Sequence, residues 1–392
     1  MMGKNDVAGL YFSISEMSDS FSVMDAVKKI DHSALYEHTS SHMGSVYRGR
    51  IESVFDAYKA WFIYMYEEGK HAILTAAIVH GDKQDKEIDF TPKVTNLRPN
   101  EAKTPNIDFD IVGRFSVYVM GDEDTDDIDN QLLSIDQELN GLTQVSKGEY
   151  ELRGKFSHVT AYIEQVYAKL ATSFDHFAID LKYYTHSPKI DYHSERSQKK
   201  MGITTKASIT TSPMTVNYME VINQVLSKVD NSAVEAAMDD IATTYRGNQA
   251  AVFDVIKAYY LHSYKEEQYN AFVGTIRNSN TDQMNQKLLR VNQSAIEDID
   301  FDVIARFSLF PLGIDQYHDV IQQARDEGKN RGLVIQDLDI YGTNLSGSVQ
   351  DVMDFFEDVY ELTATHTDQF AIEIIVKATS WMNHTTMDLS HD

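Results

Sequence analysis

The chain has 392 residues, 42% of them hydrophobic, and contains no cysteine, which excludes disulfides and cysteine-ligated metal sites. Its formal net charge of -25 disfavours binding to nucleic-acid phosphates and to anionic membrane surfaces, and it is compatible with either a solvated acidic surface or a cationic ligand. No apolar run reaches the ~18 residues of a membrane span, and the first residues do not resemble a signal peptide. We therefore expect a cytoplasmic protein with no membrane or nucleic-acid partner.

The first predicted elements, in residues 9–80, follow the order strand, helix, hairpin, helix, strand. The segments are, in that order, GLYFSIS, SFSVMDAVKKI, ALYEHTSSHMGSVY, RIESVFDAYKAWFIYMY and HAILTAAIV. This order is the ferredoxin-like plan, in which a four-stranded antiparallel sheet carries both helices on one face.

Residues 110–185 repeat the same order of elements. In DIVGRFSVYV, Ile111 and Phe115 alternate with Arg114 and Ser116, as in a strand with one buried face. A helix ending near Gly141, a hairpin, a second helix and a closing strand follow; their segments are DDIDNQLLSIDQELNG, LTQVSKGEYEL, KFSHVTAYIEQVYAKLA and DHFAIDLKYY. A second ferredoxin-like unit is therefore predicted.

Three segments of the first half of the chain recur in the second half, in the same order. FDIVGRFSVYVMG at 109–121 returns as FDVIARFSLFPLG at 301–313, and YRGRIESVFDAYKA at 47–60 returns as YRGNQAAVFDVIKA at 245–258. DHFAID near residue 180 likewise returns as DQFAIE. Offsets that stay nearly constant indicate a tandem duplication.

The duplication predicts an α+β fold built from four ferredoxin-like (βαββαβ) units. Their predicted bounds are 8–82 (unit A), 106–188 (unit B), 203–278 (unit A′) and 298–384 (unit B′). Because the helices of each unit cover only one face of its sheet, we expect the units to pair through their uncovered faces or at their edges.

The YRG…VFD blocks and the RFSLFPLG strand resemble the YkoF-type thiamin/hydroxymethylpyrimidine-binding family. The resemblance implies two ferredoxin-like repeats per family-length copy, so this chain would hold two copies and could be a covalent version of the family's dimer, with further dimerisation possible. It implies thiamin or its hydroxymethylpyrimidine moiety as the small-molecule ligand, and no other cofactor. Unit A′ has KASITTSP in place of the Phe-Ser strand, and Ser346 replaces the arginine of the other units, so we expect a site in the second copy to be altered or lost.

An aminopyrimidine needs an apolar slot and a few fixed hydrogen-bonding groups. The candidate ligand-binding residues are Ser13, Ser45, Arg48, His71, Ser116, Arg153, His176, Thr243, Arg246 and Ser308. Acidic neighbours such as Glu16, Asp19 or Asp122 would favour the cationic thiazolium ring of thiamin. Each type of candidate also has a structural interpretation: the arginines could tie a hairpin to the sheet, the serines could face a partner sheet, and the histidines could be edge residues.

Catalytic and metal-binding motifs are absent from the sequence. It contains no phosphate-binding glycine loop, nucleophile elbow or His-Glu-x-x-His, so no enzyme activity is predicted. His38 and His42 have metal-like spacing but lie in a predicted hairpin rather than a helix, so no metal site is predicted either. Two main functions stay open: a ligand-binding protein for transport, salvage or sensing, and a non-catalytic protein-interaction scaffold that has lost the pocket. An amino-acid sensor of the same fold is a third option.

Overall fold

The computed structural model divides the chain into two compact units, Met1–His186 and Ser187–Asp392, called here the first and second halves. The described residues are 7–16, 26–41, 43–81, 94–121, 128–136, 142–146, 148–186, 205–213, 215, 217–239, 241–265, 270–278, 290–339 and 342–380. The predicted helix SFSVMDAVKKI lies mostly outside them. Within the described residues, no helix is both long enough and apolar enough to cross a bilayer.

The first half forms one antiparallel eight-stranded sheet with its described helices. Its elements are β1 (Ala8–Glu16), β2 (Glu37–Ser40), β3 (Ser45–Gly49), α1 (Ile51–Met65), β4 (Ala72–His80), β5 (Asp110–Val119), α2 (Ile128–Asp136), β6 (Leu142–Ser146), β7 (Glu149–Lys155), α3 (Phe156–Leu170) and β8 (Phe177–Thr185). The strand order is β2-β3-β1-β4-β8-β5-β7-β6. This order is two ferredoxin-like sheets joined edge to edge by β4 and β8, which confirms the predicted fold and the pairing at edges.

The second half has the same architecture. Its elements are β9 (Thr205–Pro213), α4 (Tyr218–Leu226), β10 (Glu235–Met238), β11 (Thr243–Gly247), α5 (Gln249–Ser263), β12 (Asn270–Asn278), α6 (Gln293–Ile296), β13 (Asp302–Pro311), α7 (Tyr317–Asn330), β14 (Val334–Asp339), β15 (Gly342–Ser348), α8 (Val349–Ala364) and β16 (Phe370–Ala378). The strand order is β10-β11-β9-β12-β16-β13-β15-β14, so β12 and β16 form the joint.

The helices of the first half pack on one face of its sheet. Phe62 of α1 contacts Phe156 of α3 with 5.4 Å between ring centroids, and the Tyr58 hydroxyl lies 3.2 Å from that of Tyr183 in β8. Burying a side chain such as Phe62 contributes about 1.5–3 kcal/mol. In β1, Leu10 and Phe12 belong to this core. The residues that alternate with them point to the opposite face, which we call the helix-free face.

A buried asparagine fixes the segment that connects the two ferredoxin-like units of each half. The Asn100 backbone N–H and Nδ2 donate to Asp56 Oδ2 of α1 over 2.9 and 2.8 Å, and Asn100 Oδ1 accepts from the Asp31 backbone N–H over 2.8 Å. In the second half, Asn292 makes the same bonds to Asp254 and Asp230. The Asp of the repeated Val-Phe-Asp motif is therefore a structural anchor.

Candidate functional site

Charged side chains cross the central strands of the helix-free face in the first half. Asp180 in β8 lies 3.3 Å from Lys182 Nζ, and Arg114 in β5 donates to Glu151 in β7 over 2.7 Å. All four side chains are at most 13% exposed. Buried charges must be paired to be tolerated, and in this arrangement each carboxylate already has a cation.

Hydroxyl and carboxylate groups surround these ion pairs. Ser116 stands in register with Asp180 on one side and with Glu149 on the other. All three residues are buried. Neighbouring strands are about 4.8 Å apart, so their side chains can share one small ligand. The first polar cluster consists of Arg114, Ser116, Glu149, Glu151, Asp180 and Lys182.

The second half carries an equivalent set of residues at the repeated positions. Glu373 in β16 takes the place of Asp180, and it stands in register with Ser308, the equivalent of Ser116. Thr275 Oγ1 donates to Glu373 Oε2 over 2.7 Å. The second polar cluster consists of Thr275, Arg306, Ser308, Asn344 and Glu373.

Apolar side chains flank Glu373 on the same face. Val273 and Ile375 stand opposite each other, two residues along their strands from the Thr275–Glu373 pair. Phe310 lies on β13 two residues beyond Ser308. All three are buried. The site thus combines a carboxylate and hydroxyls with aliphatic and aromatic neighbours. This combination suits a flat ring that carries polar groups at its edge.

The predicted site residues fall into three groups. Ser13, Ser116 and Ser308 lie on central strands of the helix-free faces. The three arginines lie on the same faces but on the more outer strands. Arg48 pairs with Glu37 at 3.1 Å, Arg246 stands opposite Glu235, and Arg153 donates to Glu151 over 2.7 Å. Arg48 and Arg153 therefore hold hairpin and strand partners.

The remaining candidates lie away from the polar clusters. Ser45 and Thr243 stand in register with Phe12 and Ile209 on the core side of their sheets. His71 and His176 immediately precede β4 and β8. His71 Nδ1 lies 2.5 Å from the backbone oxygen of Thr185, and burial lowers the pKa of His71.

Asp19, Asp122, His42 and the side chain of Glu16 lie outside what the structure describes. Elsewhere, no three histidine, aspartate or glutamate side chains of the described residues come together as metal ligands. Among the described residues, the carboxylates that stand in register with Ser116 and Ser308 on the central strands β8 and β16 are Asp180 and Glu373.

Sequence reasoning missed these two carboxylates although a signal for them was present. DHFAID and DQFAIE both end in an acidic residue within a strand that is otherwise apolar. The position alternates with core residues, so the carboxylate must face away from the helices. Arg114 and Arg306 carry the same signal, because they are identical within the repeat FDIVGRFSVYVMG/FDVIARFSLFPLG.

Two duplicated ferredoxin-like sheets, each with a buried or partly buried polar cluster on its helix-free face, place the protein in a class of duplicated α+β proteins. The model of the YKOF-related family matches residues 7–81, 204–282 and 302–383, and the chain belongs to that family. It is 29% identical over 174 residues to "Putative HMP/thiamine-binding protein YkoF" of Bacillus subtilis (strain 168), an alignment that spans 43% of this chain and 86% of the relative.

Proposed function

We propose that the protein binds thiamin or its hydroxymethylpyrimidine moiety on a helix-free face and acts in transport, salvage or sensing without catalysing a reaction. The observation that carries the proposal is a carboxylate that stands in register with a serine on the helix-free face of both halves: Asp180 with Ser116, both buried, and Glu373 with Ser308, both partly buried. The name of the Bacillus relative, which refers to the same ligands, supports the same function.

The chemistry of the clusters suits these ligands. A carboxylate accepts hydrogen bonds from the exocyclic amine of an aminopyrimidine and attracts the permanent positive charge of a thiazolium ring. Ser308 and Thr275 can orient the ring edge, and Ile375 offers an apolar surface to its face.

The test is thermal unfolding with thiamin, hydroxymethylpyrimidine and a panel of amino acids. A ligand at about 100 times its Kd stabilises the folded state by roughly 2.7 kcal/mol, which raises the midpoint by about 5–10 °C for units of this size. A shift with thiamin or its pyrimidine alone is expected. No shift with any compound would favour the alternative, a non-catalytic interaction scaffold, and a shift with amino acids would favour a sensor.

Glu373→Gln tests the carboxylate itself. It keeps the shape of the side chain and removes its charge, so thiamin affinity measured by calorimetry should fall about 10-fold or more. Asp368→Asn is the matched control, because Asp368 is exposed and lies just before the same strand. Equal affinities for the two variants would contradict a ligand role for Glu373.

A further inference from the structure

A cleft on the helix side of the second half is lined by more carboxylates than cations. It has a volume of about 520 Å³ and lies between α5, α8 and the segment that connects the two ferredoxin-like units. Its described lining residues include six carboxylates and three cationic side chains. Each cation is paired with one carboxylate, and the pairs are Lys257–Asp354, Arg290–Glu357 and Arg331–Asp358.

The other three carboxylates of the cleft stand outside these ion pairs. They are Asp254, Glu297 and Glu361. Arg290 attracts Asp254 at longer range but donates to Glu357 over 2.7 Å. Glu361 accepts one neutral hydrogen bond, from Gln249 over 2.7 Å. The cleft therefore carries a net negative charge that its own cations do not balance.

The carboxylate of Asp254 offers one oxygen that nothing in the described chain binds. Asp254 is 2% exposed, and its Oδ2 accepts both of the hydrogen bonds from Asn292. The equivalent Asp56 of the first half also uses Oδ1, which accepts from the Glu101 backbone N–H over 3.0 Å. Buried polar oxygens are normally hydrogen-bonded, so Asp254 Oδ1, at the wall of this cleft, points to a donor on a bound molecule.

The additional acidic residues of α8 are specific to the second half. Asp354, Asp358 and Glu361 lie on one face of the helix, at positions i, i+4 and i+7. Helices α3 and α8 start at equivalent residues, because the first backbone N–H of each donates to the phenylalanine that opens the repeated strand segment. The corresponding residues of α3 are Ala161, Gln165 and Ala168, which are all neutral.

This arrangement suits an elongated cation better than a metal ion. From Asp354 to Glu361 the helix rises about 10 Å, so the carboxylates are spread along the cleft. A calcium ion needs about six to eight oxygen ligands around one point, and no three histidine or acidic side chains of the described residues converge in that way. A linear polyamine has ammonium groups separated by methylene chains, and the buried side chain of Ile296 offers those methylenes an apolar contact.

We propose that this cleft binds a linear polyamine such as spermidine. Its ammonium groups donate to Asp254 Oδ1 and to the carboxylates of Glu297 and Glu361. The three ion pairs of the cleft stay formed, so no charge of the protein loses its partner when the ligand binds. The site lies on the helix side of the sheet and is therefore separate from the polar cluster on the helix-free face.

The experiment is calorimetric titration of the full chain with spermidine at about 150 mM salt, where attraction to distant surface charges is largely screened. The wild-type chain should bind one equivalent. The triple variant Asp354→Ala, Asp358→Gln, Glu361→Ala gives α8 the residues of α3 and should weaken binding about 10-fold or more. Glu297→Gln changes an exposed residue outside the ion pairs, so it should leave the fold intact and weaken binding about threefold.

A second triple variant controls for the overall charge of -25. Asp315→Asn, Asp319→Asn and Asp368→Asn remove the same charge from exposed residues that do not line the cleft. The affinity for spermidine should then change by less than about twofold. Thermal midpoints without ligand verify that each variant is folded.

The outcomes separate this site from the proposed thiamin site. No binding of spermidine by the wild-type chain, or equal losses in the cleft and control variants, would overturn the polyamine site and leave the thiamin proposal standing. Unchanged affinity for hydroxymethylpyrimidine in the cleft triple variant would support two separate sites. Loss of that affinity together with the affinity for spermidine would show a single site and overturn the inference.

Discussion

Asn100 shows how one side chain can fix the segment that leaves the first ferredoxin-like unit onto that unit. Its amide donates to Asp56 and to the backbone oxygen of Asp31, and its carbonyl accepts from the Asp31 backbone N–H. All of these groups are buried or partly buried, so removing the amide leaves several of them without partners.

Asn100→Ala should therefore lower the free energy of unfolding of the first half by about 3 kcal/mol, since each unsatisfied buried group costs about 1–3 kcal/mol. Urea unfolding followed by circular dichroism measures the change. Asn96→Ala in the same segment is the control, because Asn96 is exposed and bonds only locally in the described structure. Similar losses for the two variants would argue against the anchor.

His32 gives the first half a pH-dependent stability. Its ring stacks on His38 at 4.2 Å and its Nε2 lies 3.0 Å from the Tyr47 hydroxyl. Burial, reinforced by His38, lowers the pKa of His32 from its ordinary 6.5 to about 4. The unfolded chain therefore takes up the proton first, so stability is full above pH 6.5 and is lost as the pH falls towards 4.

The urea midpoint of the wild-type protein should accordingly fall between pH 7 and pH 5. His32→Gln should show a smaller fall, whereas His158→Gln should behave as the wild type because His158 is exposed on α3. Asp31 acts in a lower window: Lys103 lowers its pKa to about 2, so its contribution is lost only as the pH falls from 3.8 towards 2. An unchanged pH dependence in His32→Gln would exclude this role.

At the scale of elements, the equivalent helices of the two halves begin differently. The Ser348 hydroxyl accepts from the Asp351 backbone N–H at the start of α8, over 3.2 Å, whereas Lys155 before α3 makes no side-chain cap. Ser348→Ala should cost about 1 kcal/mol, and Lys155→Ala should cost little. Denaturant titration of both variants measures the difference, and equal costs would mean that the cap contributes nothing.

The sequence predicted most elements and their grouping into ferredoxin-like units, but it left open whether the units pair through faces or edges and which strands form the joint. Alternation in DIVGRFSVYV and the apolar spacing in α1 report local burial, so these strands and helices could be predicted. The joint between β4 and β8 pairs residues about a hundred positions apart, and no local pattern records it. For the same reason the sequence could not single out Asp180 from the 60 acidic residues of the chain, because its position opposite Ser116 depends on how β5 and β8 pair.

At the scale of the whole molecule, the net charge determines whether the protein is attracted to or repelled by polyanions such as DNA. With a formal charge of -25, the protein should not bind duplex DNA at about 150 mM salt, because no cationic excess is present to release counterions. Fluorescence anisotropy of a labelled duplex measures this, with a basic DNA-binding protein as the positive control. Binding that weakens steeply with salt would contradict the expectation.

The joint between the two ferredoxin-like sheets also protects the protein from aggregation. The joint strands, β4 and β8, have nine residues each, and each would be a long edge able to template a foreign strand if it were exposed. Pairing them with each other leaves β2 and β6, of four and five residues, as the outer strands of that sheet. The joint thus covers two nine-residue edges and leaves only short strands at the edges of that sheet.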